Sequence, residues 1–325
     1  MIRRIPTAAF DLQAGQGPVR ANVLCMLSML IWAVGLPAAD LLIGPVPALP
    51  LTAARMVMAA LFLLPLWCMT EGSDALRSAH WGKGIVVGGA GLGLGAFLLV
   101  LGQGKTNMVT VAIISAAMPV VGIAIEVVLD GRKISLALVL GVVLSLAGGL
   151  MVLQGGSDGL GLGLGALLCL GSIVLYTLGS RLTVSAFPTL TPLGRTTVTL
   201  TGAALATTLA AVLNALLGGA GPQWELLGAK ELGALAVFAI GGLAISQVLW
   251  IMSIGSLGIA LSSLHINATP FYVMLILFAM GGAWQWTQAL AAVVVGLGVL
   301  VAQGIVPLRP AGRVRSGTTG NQPNN

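Results

Sequence analysis

The stretch NMVTVAIISAAMPVVGIAIEVVLDGR, from Asn107 to Arg132, decides the fold class of this chain. It is apolar over about the length that crosses the roughly 30 Å hydrocarbon core of a bilayer at about 1.5 Å per residue. Pro119 lies near its centre, where membrane helices tolerate proline if neighbouring groups satisfy the freed carbonyl. A similar stretch runs from Gly258 to Met280, with Pro270 in the matching place. The pair predicts membrane-spanning helices with a break or bend near each proline.

The composition of the whole chain points to the same environment. Of its 325 residues, 57% are hydrophobic and 7% are charged, whereas about 25% of the residues of soluble domains are charged. The net charge of +6 does not indicate nucleic-acid binding, because the basic residues flank apolar spans. The three cysteines lie in separate spans without a CxxC motif, which argues against a disulfide framework. The sequence therefore predicts an all-α integral membrane protein with no nucleic-acid partner.

Ten apolar spans can be placed along the chain. They lie at about 21–43, 51–70, 84–102, 107–129, 134–154, 160–180, 191–217, 232–253, 259–280 and 286–304. The first span is longer than the apolar core of a signal peptide, which is about 7–15 residues, so we expect a retained helix. Residues 1–20 form a basic N-terminal tail, and residues 305–325 have the composition of a disordered tail.

Matching residues recur in the two halves of the chain, at offsets of roughly 140 to 151 residues. The matched pairs are Ser28–Trp32 with Ser172–Tyr176, Arg55 with Arg195, Gly91 with Gly242, Pro119 with Pro270, and LMVLQG (150–155) with VLVAQG (299–304). The halves, 21–154 and 160–304, each hold five spans, so the second half must be inserted upside down relative to the first. The sequence thus predicts ten transmembrane helices in two inverted five-helix repeats, a plan common among secondary transporters.

Basic residues are distributed unequally between the two sides of the membrane. If the N-terminus is cytoplasmic, the outside loops carry only Lys105 and Lys230. The inside segments then carry Arg3, Arg4, Arg20, Arg77, Lys83, Arg132, Lys133, Arg181, Arg309, Arg313 and Arg315. Because positive charge stays on the cytoplasmic side, this asymmetry predicts that both termini are cytoplasmic.

Four features occur together in this order: Ile31-Trp32 in the first span, Arg55 early in the second, and the prolines of spans four and nine. With the repeated five-helix pattern, they resemble the drug/metabolite transporter superfamily, EamA type, over about residues 21–304. The resemblance implies a bacterial inner-membrane transporter that moves a small solute outward. The family usually shows Gly-Glu after each proline helix, whereas this chain has Asp130-Gly131-Arg132 and Met280-Gly281-Gly282.

The ninth span carries a polar stripe. Ser262, His265, Thr269 and Tyr272 are spaced 3-4-3, which places them on one face of an α-helix. Because polar groups facing lipid are costly, we expect this face to line a solute cavity, with His265 contacting solute rather than carrying protons. In the alternative, Ser and Thr bond to their own helix carbonyls and His265 pairs with a neighbouring helix.

Other residues complete the candidate site. Trp32 and Tyr176, at matched places on spans one and six, and Gln247 and Trp250 on span eight are predicted to line the cavity or to form an interfacial belt. Pro119 and Pro270 are predicted to gate it. Arg55, Glu126 and Arg195 are candidates for charge recognition or ion coupling. Alternatively, Glu126 pairs with Arg132 or Lys133, and the two arginines anchor helices at the interface, Arg55 with Asp40.

These features predict a secondary transporter that moves a small organic metabolite by alternating access, with the outward direction resting on the resemblance alone. GKT at 104–106 lacks the earlier glycine of a phosphate-binding loop, and no HExxH occurs. We therefore expect no enzyme, no cofactor and no metal. The expected partners are the solute and the lipid bilayer, and a homodimer remains open. The alternatives are an uptake permease, a multidrug exporter, an intramembrane enzyme and a non-transporting membrane subunit.

Overall fold

The computed structural model describes residues 17–105, 114–115, 117–151, 163–279, 281, 284 and 286–305, and all regular structure in these residues is helical. In the first half the helices are α1 (Pro18–Ile43), α2 (Ala48–Glu71), α3 (Ser73–Ser78), α4 (Trp81–Gln103), α5 (Met118–Asp130) and α6 (Leu136–Met151). In the second half they are α7 (Leu164–Ser185), α8 (Pro192–Leu216), α9 (Ala229–Leu257), α10 (Ile259–Ser263), α11 (Thr269–Ala279) and α12 (Trp286–Ala302).

Six of these helices, α1, α2, α4, α7, α8 and α9, are long and apolar enough to cross a membrane. Shorter apolar segments, Leu136–Ala147 and Val293–Ala302, lie within α6 and α12. Large apolar side chains such as Leu209 and Leu216 on α8 are exposed on the outside of the molecule. Exposed apolar side chains are costly in water and favourable in lipid, so the outer surface fits a bilayer.

The ninth predicted span is interrupted, and the fourth is described only in part. Much of span 107–129 lies outside the described residues, and α5 covers its second part. The break predicted near Pro270 is present, because α10 and α11 are separated by a 3₁₀ segment, Leu264–Ala268. Pro270 explains the interruption, since it has no N–H to donate to the carbonyl of Ile266 and its ring would clash there.

Both prolines lie in the first turn of a helix. Pro119 follows Met118, where α5 begins, and Pro270 follows Thr269, where α11 begins. A first-turn N–H has no partner within its own helix, so proline is well tolerated there. The two sequence-matched prolines therefore mark matching helix starts.

Helices α4 and α9 each contain a π-helical segment, Gly88–Gly93 in α4 and Val237–Ile245 in α9. These segments fall at matched places in the two halves. π-Helical turns are uncommon and are concentrated at functional sites. Both segments contain adjacent glycines, Gly88-Gly89 in α4 and Gly241-Gly242 in α9.

Two pairs of glycines bring helices into backbone contact. A Cβ atom at Gly91 in α4 would lie 2.6 Å from the Cα atom of Gly179 in α7. A Cβ atom at Gly35 in α1 would lie 3.2 Å from the Cα atom of Gly242 in α9. Only glycine permits such an approach, and small residues drive helix association in membranes in this way. Gly91 and Gly242, which are matched between the two halves, each take part in one of these contacts.

Pairs of helices pack in a regular pattern. Helix α2 packs on α8, α5 on α10, and α6 on α12, while α1 packs on α9 and α4 packs on α7. One buried apolar cluster lies among α2, α4, α8 and the π segment of α9. A second cluster lies among α1, α5, α7, α10, α11 and the end of α9. The residues described below lie at and between these two clusters.

Candidate functional site

Arg55 is buried between α2 and the π-helical segment of α9. Its Nε atom donates to the carbonyl of Phe238 at 3.3 Å, and its Nη2 atom donates to the carbonyl of Gly242 at 3.1 Å. Its guanidinium also lies 3.7 Å from the centroid of the Phe238 ring, a favourable cation–π arrangement. Arg55 forms no ion pair with a described side chain, and the side chain of Asp40 lies outside the described set. Arg55 is therefore a buried cation held by backbone carbonyls and an aromatic face.

Tyr176 connects this arginine to the next turns of α9. Its hydroxyl donates to Oε1 of Gln247, which joins α7 to α9. Tyr176 also lies close enough to Arg55 for the two side chains to interact electrostatically. Gln247 is buried, and its Nε2 atom has no hydrogen-bond partner in the part of the chain that the structure describes.

Trp250 and Tyr272 extend this group into the second apolar cluster. Both side chains are buried there with Met118 and Ile173, and Tyr176 packs against the same cluster. The Nε1 atom of Trp250 has no partner among the described residues. The structure thus brings together Tyr176, Gln247, Trp250 and Tyr272, which the sequence had placed on three separate spans.

His265 lies on the 3₁₀ segment between α10 and α11 and is buried. Its Nδ1 atom lies 3.2 Å from the carbonyl oxygen of Ser262. Because a carbonyl only accepts hydrogen bonds, Nδ1 must be the donor, and in the neutral ring this leaves Nε2 as an acceptor. The Sγ atom of Cys25 in α1 donates to the same carbonyl at 3.4 Å. His265 is therefore oriented by a carbonyl of α10, three residues earlier in the sequence.

The four residues of the predicted stripe are all buried, but they do not share one α-helix. Ser262 lies on α10, His265 on the 3₁₀ segment, and Thr269 and Tyr272 on α11. The side-chain oxygens of Ser262 and Thr269 have no partner among the described residues. The alternative in which each hydroxyl bonds to its own helix carbonyl does not describe these two residues.

Sequence reasoning missed Asn267 and Ser145. Nδ2 of Asn267 donates to Oγ of Ser145 at 2.9 Å, and that hydroxyl donates to the carbonyl of Leu264 at 3.2 Å. The two bonds fasten the 3₁₀ segment to α6. The available signal in the sequence was an asparagine three residues before Pro270, within an apolar span.

Glu126 is buried near the end of α5. Its carboxylate pairs with Arg132 and also accepts a hydrogen bond at 2.9 Å from the backbone N–H of Ala260, at the start of α10. A carboxylate at a helix start satisfies an N–H that has no partner within its helix. The contacts of Glu126 are those of the alternative in which it pairs with Arg132.

Arg195 and Trp32 lie apart from this group. Arg195, half-buried at the start of α8, donates from Nε to the carbonyl of Phe187 at 2.8 Å and from Nη2 to that of Pro188 at 3.0 Å. It therefore fastens the turn between α7 and α8, whereas its sequence match Arg55 bonds to another helix. Trp32 is half-buried on α1. Within the described ranges, no three His, Cys, Asp or Glu residues lie close enough to hold a metal ion.

The long apolar helices, the lipid-compatible surface and the buried polar group together define an integral, multi-pass membrane protein. Residues 19–154 match the model of the EamA-like transporter family. This match covers less than half of the chain and, over that part, confirms the EamA-type resemblance predicted from the sequence. The family points to a transporter rather than to an enzyme.

Two further comparisons concern whole chains. A crystal structure of a protein with 20% sequence identity superposes with a TM-score of 0.73, covering 88% of this chain and 97% of its own. At that identity the likeness shows the fold alone. A comparison with curated proteins found no match.

Proposed function

We propose that this protein is a secondary transporter that moves a small organic solute outward across the bacterial inner membrane. Ten transmembrane segments form two inverted repeats, 21–154 and 160–304, between the tails 1–20 and 305–325, and both termini are cytoplasmic. The solute binds between the repeats, whose relative motion exposes the site to each side in turn. The outward direction follows the family resemblance, and a homodimer stays a prediction.

Four buried polar atoms that have no hydrogen-bond partner among the described residues support this proposal. They are Nε2 of Gln247, Nε1 of Trp250, Oγ of Ser262 and Oγ1 of Thr269, all on residues predicted from the sequence to line a cavity. A buried polar atom that makes no hydrogen bond costs about 1–3 kcal/mol, so most such atoms find a partner. Unpartnered polar atoms also occur elsewhere, as at Trp67. A polar solute can supply the missing partners at the proposed site.

The packing of the helices supports the inverted repeats. If α1, α2, α4, α5 and α6 correspond to α7, α8, α9, α10–α11 and α12, a two-fold relation exchanges several of the observed helix pairs. The contact of α1 with α9 then corresponds to that of α4 with α7, and the contact of α1 with α11 to that of α5 with α7. The pairs α2–α8, α5–α10 and α6–α12 correspond to themselves.

The matched helix starts at Pro119 and Pro270 support alternating access. In the ninth span the 3₁₀ segment before Pro270 lacks the α-helical bond from residue 270 to Ile266, so α10 and α11 can tilt more easily than two parts of a continuous α-helix. Discontinuous helices of this kind surround the solute sites of many secondary transporters. We therefore propose that Pro119 and Pro270 act in gating.

Water access to the site tests this proposal. In a variant whose three native cysteines are replaced by serine, single cysteines are placed at Gln247 and Thr269 and treated with water-soluble thiol reagents from each side. Both should react, and reaction should depend on which side is open. Leu205→Cys, on the exposed apolar face of α8, is the matched control and should not react.

Metabolite measurements in cells test the direction. Overexpression of an exporter should lower the cellular level of its solute and raise the external level, and deletion should do the reverse. An uptake permease would give the opposite changes, and a multidrug exporter would protect against unrelated toxic compounds. Unreactive cysteines at both site positions would contradict a transport cavity and favour a non-transporting subunit.

A further inference from the structure

The contacts of Arg55 indicate the chemical class of the solute. This inference rests on the proposed transport function. Arg55 is 7% exposed and lies about 10 Å along α2 from its start, at about 1.5 Å per residue. Burying a cation within a membrane protein is costly unless it is paired, and such residues generally serve function. The carbonyls of Phe238 and Gly242 offset part of this cost but carry no net charge.

The guanidinium keeps capacity for another ligand. The described hydrogen bonds use Nε and Nη2, and Nη1 has no hydrogen-bond partner among the residues that the structure describes. Guanidinium groups bind carboxylate and phosphate through two parallel N–H donors, so an oxyanion is the ligand that matches this group best.

Neighbouring groups suit the same ligand. The Tyr176 side chain lies near Arg55, and its hydroxyl donates to Gln247, whose Nε2 atom is a buried donor without a partner among the described residues. A cation and an amide donor that both neighbour one tyrosine can bind an anionic head group. The rings of Phe238, Tyr176 and Trp250 offer flat apolar surfaces for the rest of the molecule.

Arg195, which matches Arg55 in the second half, makes different contacts from those of Arg55. Arg195 directs both of its hydrogen bonds to carbonyls of the adjoining turn, 7 and 8 residues away in sequence. Arg55 instead bonds to carbonyls 183 and 187 residues away, in the other half of the chain. Its cationic group is therefore placed between the two halves, where the solute is proposed to bind.

We propose that Arg55, Tyr176 and Gln247 bind the carboxylate or phosphate group of the transported solute, which is therefore an organic anion or zwitterion. Arg55 provides the charge, Gln247 provides a second donor, and Tyr176 holds the amide in place. The site forms only when α2 and α7 both contact α9, so binding of the anion favours the state in which the halves are joined there.

Charge-selective labelling tests this proposal without knowledge of the solute. In the cysteine-free background, Gln247→Cys is treated with the anionic 2-sulfonatoethyl methanethiosulfonate and with the cationic 2-(trimethylammonium)ethyl methanethiosulfonate. The ratio of the two reaction rates reports the local electrostatic potential. Removing the charge with Arg55→Gln should lower the anionic-to-cationic ratio about tenfold, because a charge several ångströms away in a low-dielectric site has an effect of this order.

Two further variants keep the result interpretable. Arg55→Lys preserves the charge and should keep most of the ratio, which separates loss of charge from loss of fold. Arg195→Gln removes the matched charge outside the site and should leave the ratio unchanged. Each protein is used only if it elutes as a single folded species in detergent.

The outcomes separate this inference from the proposed transport function. If both reagents react and Arg55→Gln leaves the ratio unchanged, the anion site is wrong and the cavity stands. If neither reagent reacts from either side, the cavity itself is absent and both proposals fail. An equal loss in Arg55→Gln and Arg195→Gln would show a general effect of net charge and would also overturn the anion site.

Discussion

Asn22 and Gln303 exchange two hydrogen bonds between their side-chain amides. Nδ2 of Asn22 donates to Oε1 of Gln303 at 2.9 Å, and Nε2 of Gln303 donates to Oδ1 of Asn22 at 2.6 Å. The pair joins the start of α1 to the residue after α12, at opposite ends of the sequence. In the proposed topology it lies on the cytoplasmic side and must separate if α1 and α12 move apart there.

The first prediction concerns this pair. Asn22→Ala and Gln303→Ala should each lower the free energy of unfolding by about 1 kcal/mol, because each removes both hydrogen bonds. The double variant should lose little more than either single variant, since the two residues act as one unit. Denaturant unfolding in detergent measures these values. Losses that simply add would show that the amides act independently.

The second prediction concerns topology. Reporter domains fused after Val306 and within the 218–230 loop should report opposite sides of the membrane, with the first reporter in the cytoplasm. Three predicted spans, an odd number, lie between the 218–230 loop and the C-terminus, so the two reporters are on opposite sides. Alkaline phosphatase and green fluorescent protein fusions measure the two sides independently. Reporters on the same side would end the inverted-repeat proposal.

The third prediction concerns the interrupted helices. Pro119→Ala and Pro270→Ala should fold in normal yield, because both positions lie in the first turn of a helix. Each alanine restores a backbone N–H that can extend the helix backward, which should slow the exchange between inward-open and outward-open states. Side-specific cysteine labelling of the site measures that exchange.

Pro65→Ala serves as the control for the proline variants. Pro65 lies inside α2, away from both interruptions, and its replacement should not alter the exchange. Unchanged labelling in both Pro119→Ala and Pro270→Ala would count against gating by these residues.

The fourth prediction concerns His265. Gln keeps a donor and an acceptor but cannot titrate, whereas Leu removes both. If His265 contacts the solute, His265→Gln should retain much of the transport and His265→Leu little. If it carries protons, both variants should lose gradient-driven accumulation while solute exchange survives. Normal transport by His265→Leu would show that the residue only packs between α10 and α11.

The fifth prediction concerns the glycine contact between α4 and α7. Gly91→Ala should destabilise the fold by about 1–3 kcal/mol, because its Cβ atom would lie 2.6 Å from the backbone of Gly179. Gly241→Ala is the matched control, since it lies in the other π-helical segment with nothing within 4 Å of an added Cβ atom. Thermal unfolding in detergent should separate the two variants. Equal stability would mean that α4 and α7 adjust at no cost.

Hydropathy was sufficient to predict the six long apolar helices, the residue match with Trp32 led to Tyr176, and Gln247 and Trp250 were predicted as a polar and an aromatic residue of the eighth span. The same matching would have found the second glycine contact, because Gly35 and Gly179 have the offset of Ser28 and Ser172. The partners of Arg55 could not be predicted in this way. They are main-chain carbonyls in a π-helical segment, and a carbonyl has the same chemistry in every residue.

The interruption in the ninth span was predictable only in part. Pro270 indicated a break, but the extent of the 3₁₀ segment depends on Asn267 and Ser145, which meet across 122 residues of sequence. The prediction that His265 and Tyr272 share one helix face assumed a regular α-helix over the whole span. Local spacing is reliable only while the helix type stays constant.

The hydrogen bond between Glu126 and Ala260 has a consequence for how the protein is made. The two residues are 134 positions apart, so Glu126 enters the membrane well before its partner is synthesised. Until then its carboxylate has only Arg132 as a partner, and Arg132 lies just after the end of α5. A truncated first half would retain this incompletely satisfied acid. The ribosome must therefore deliver the second half before quality-control proteases act on the first, and chains arrested before Ala260 should be rapidly degraded.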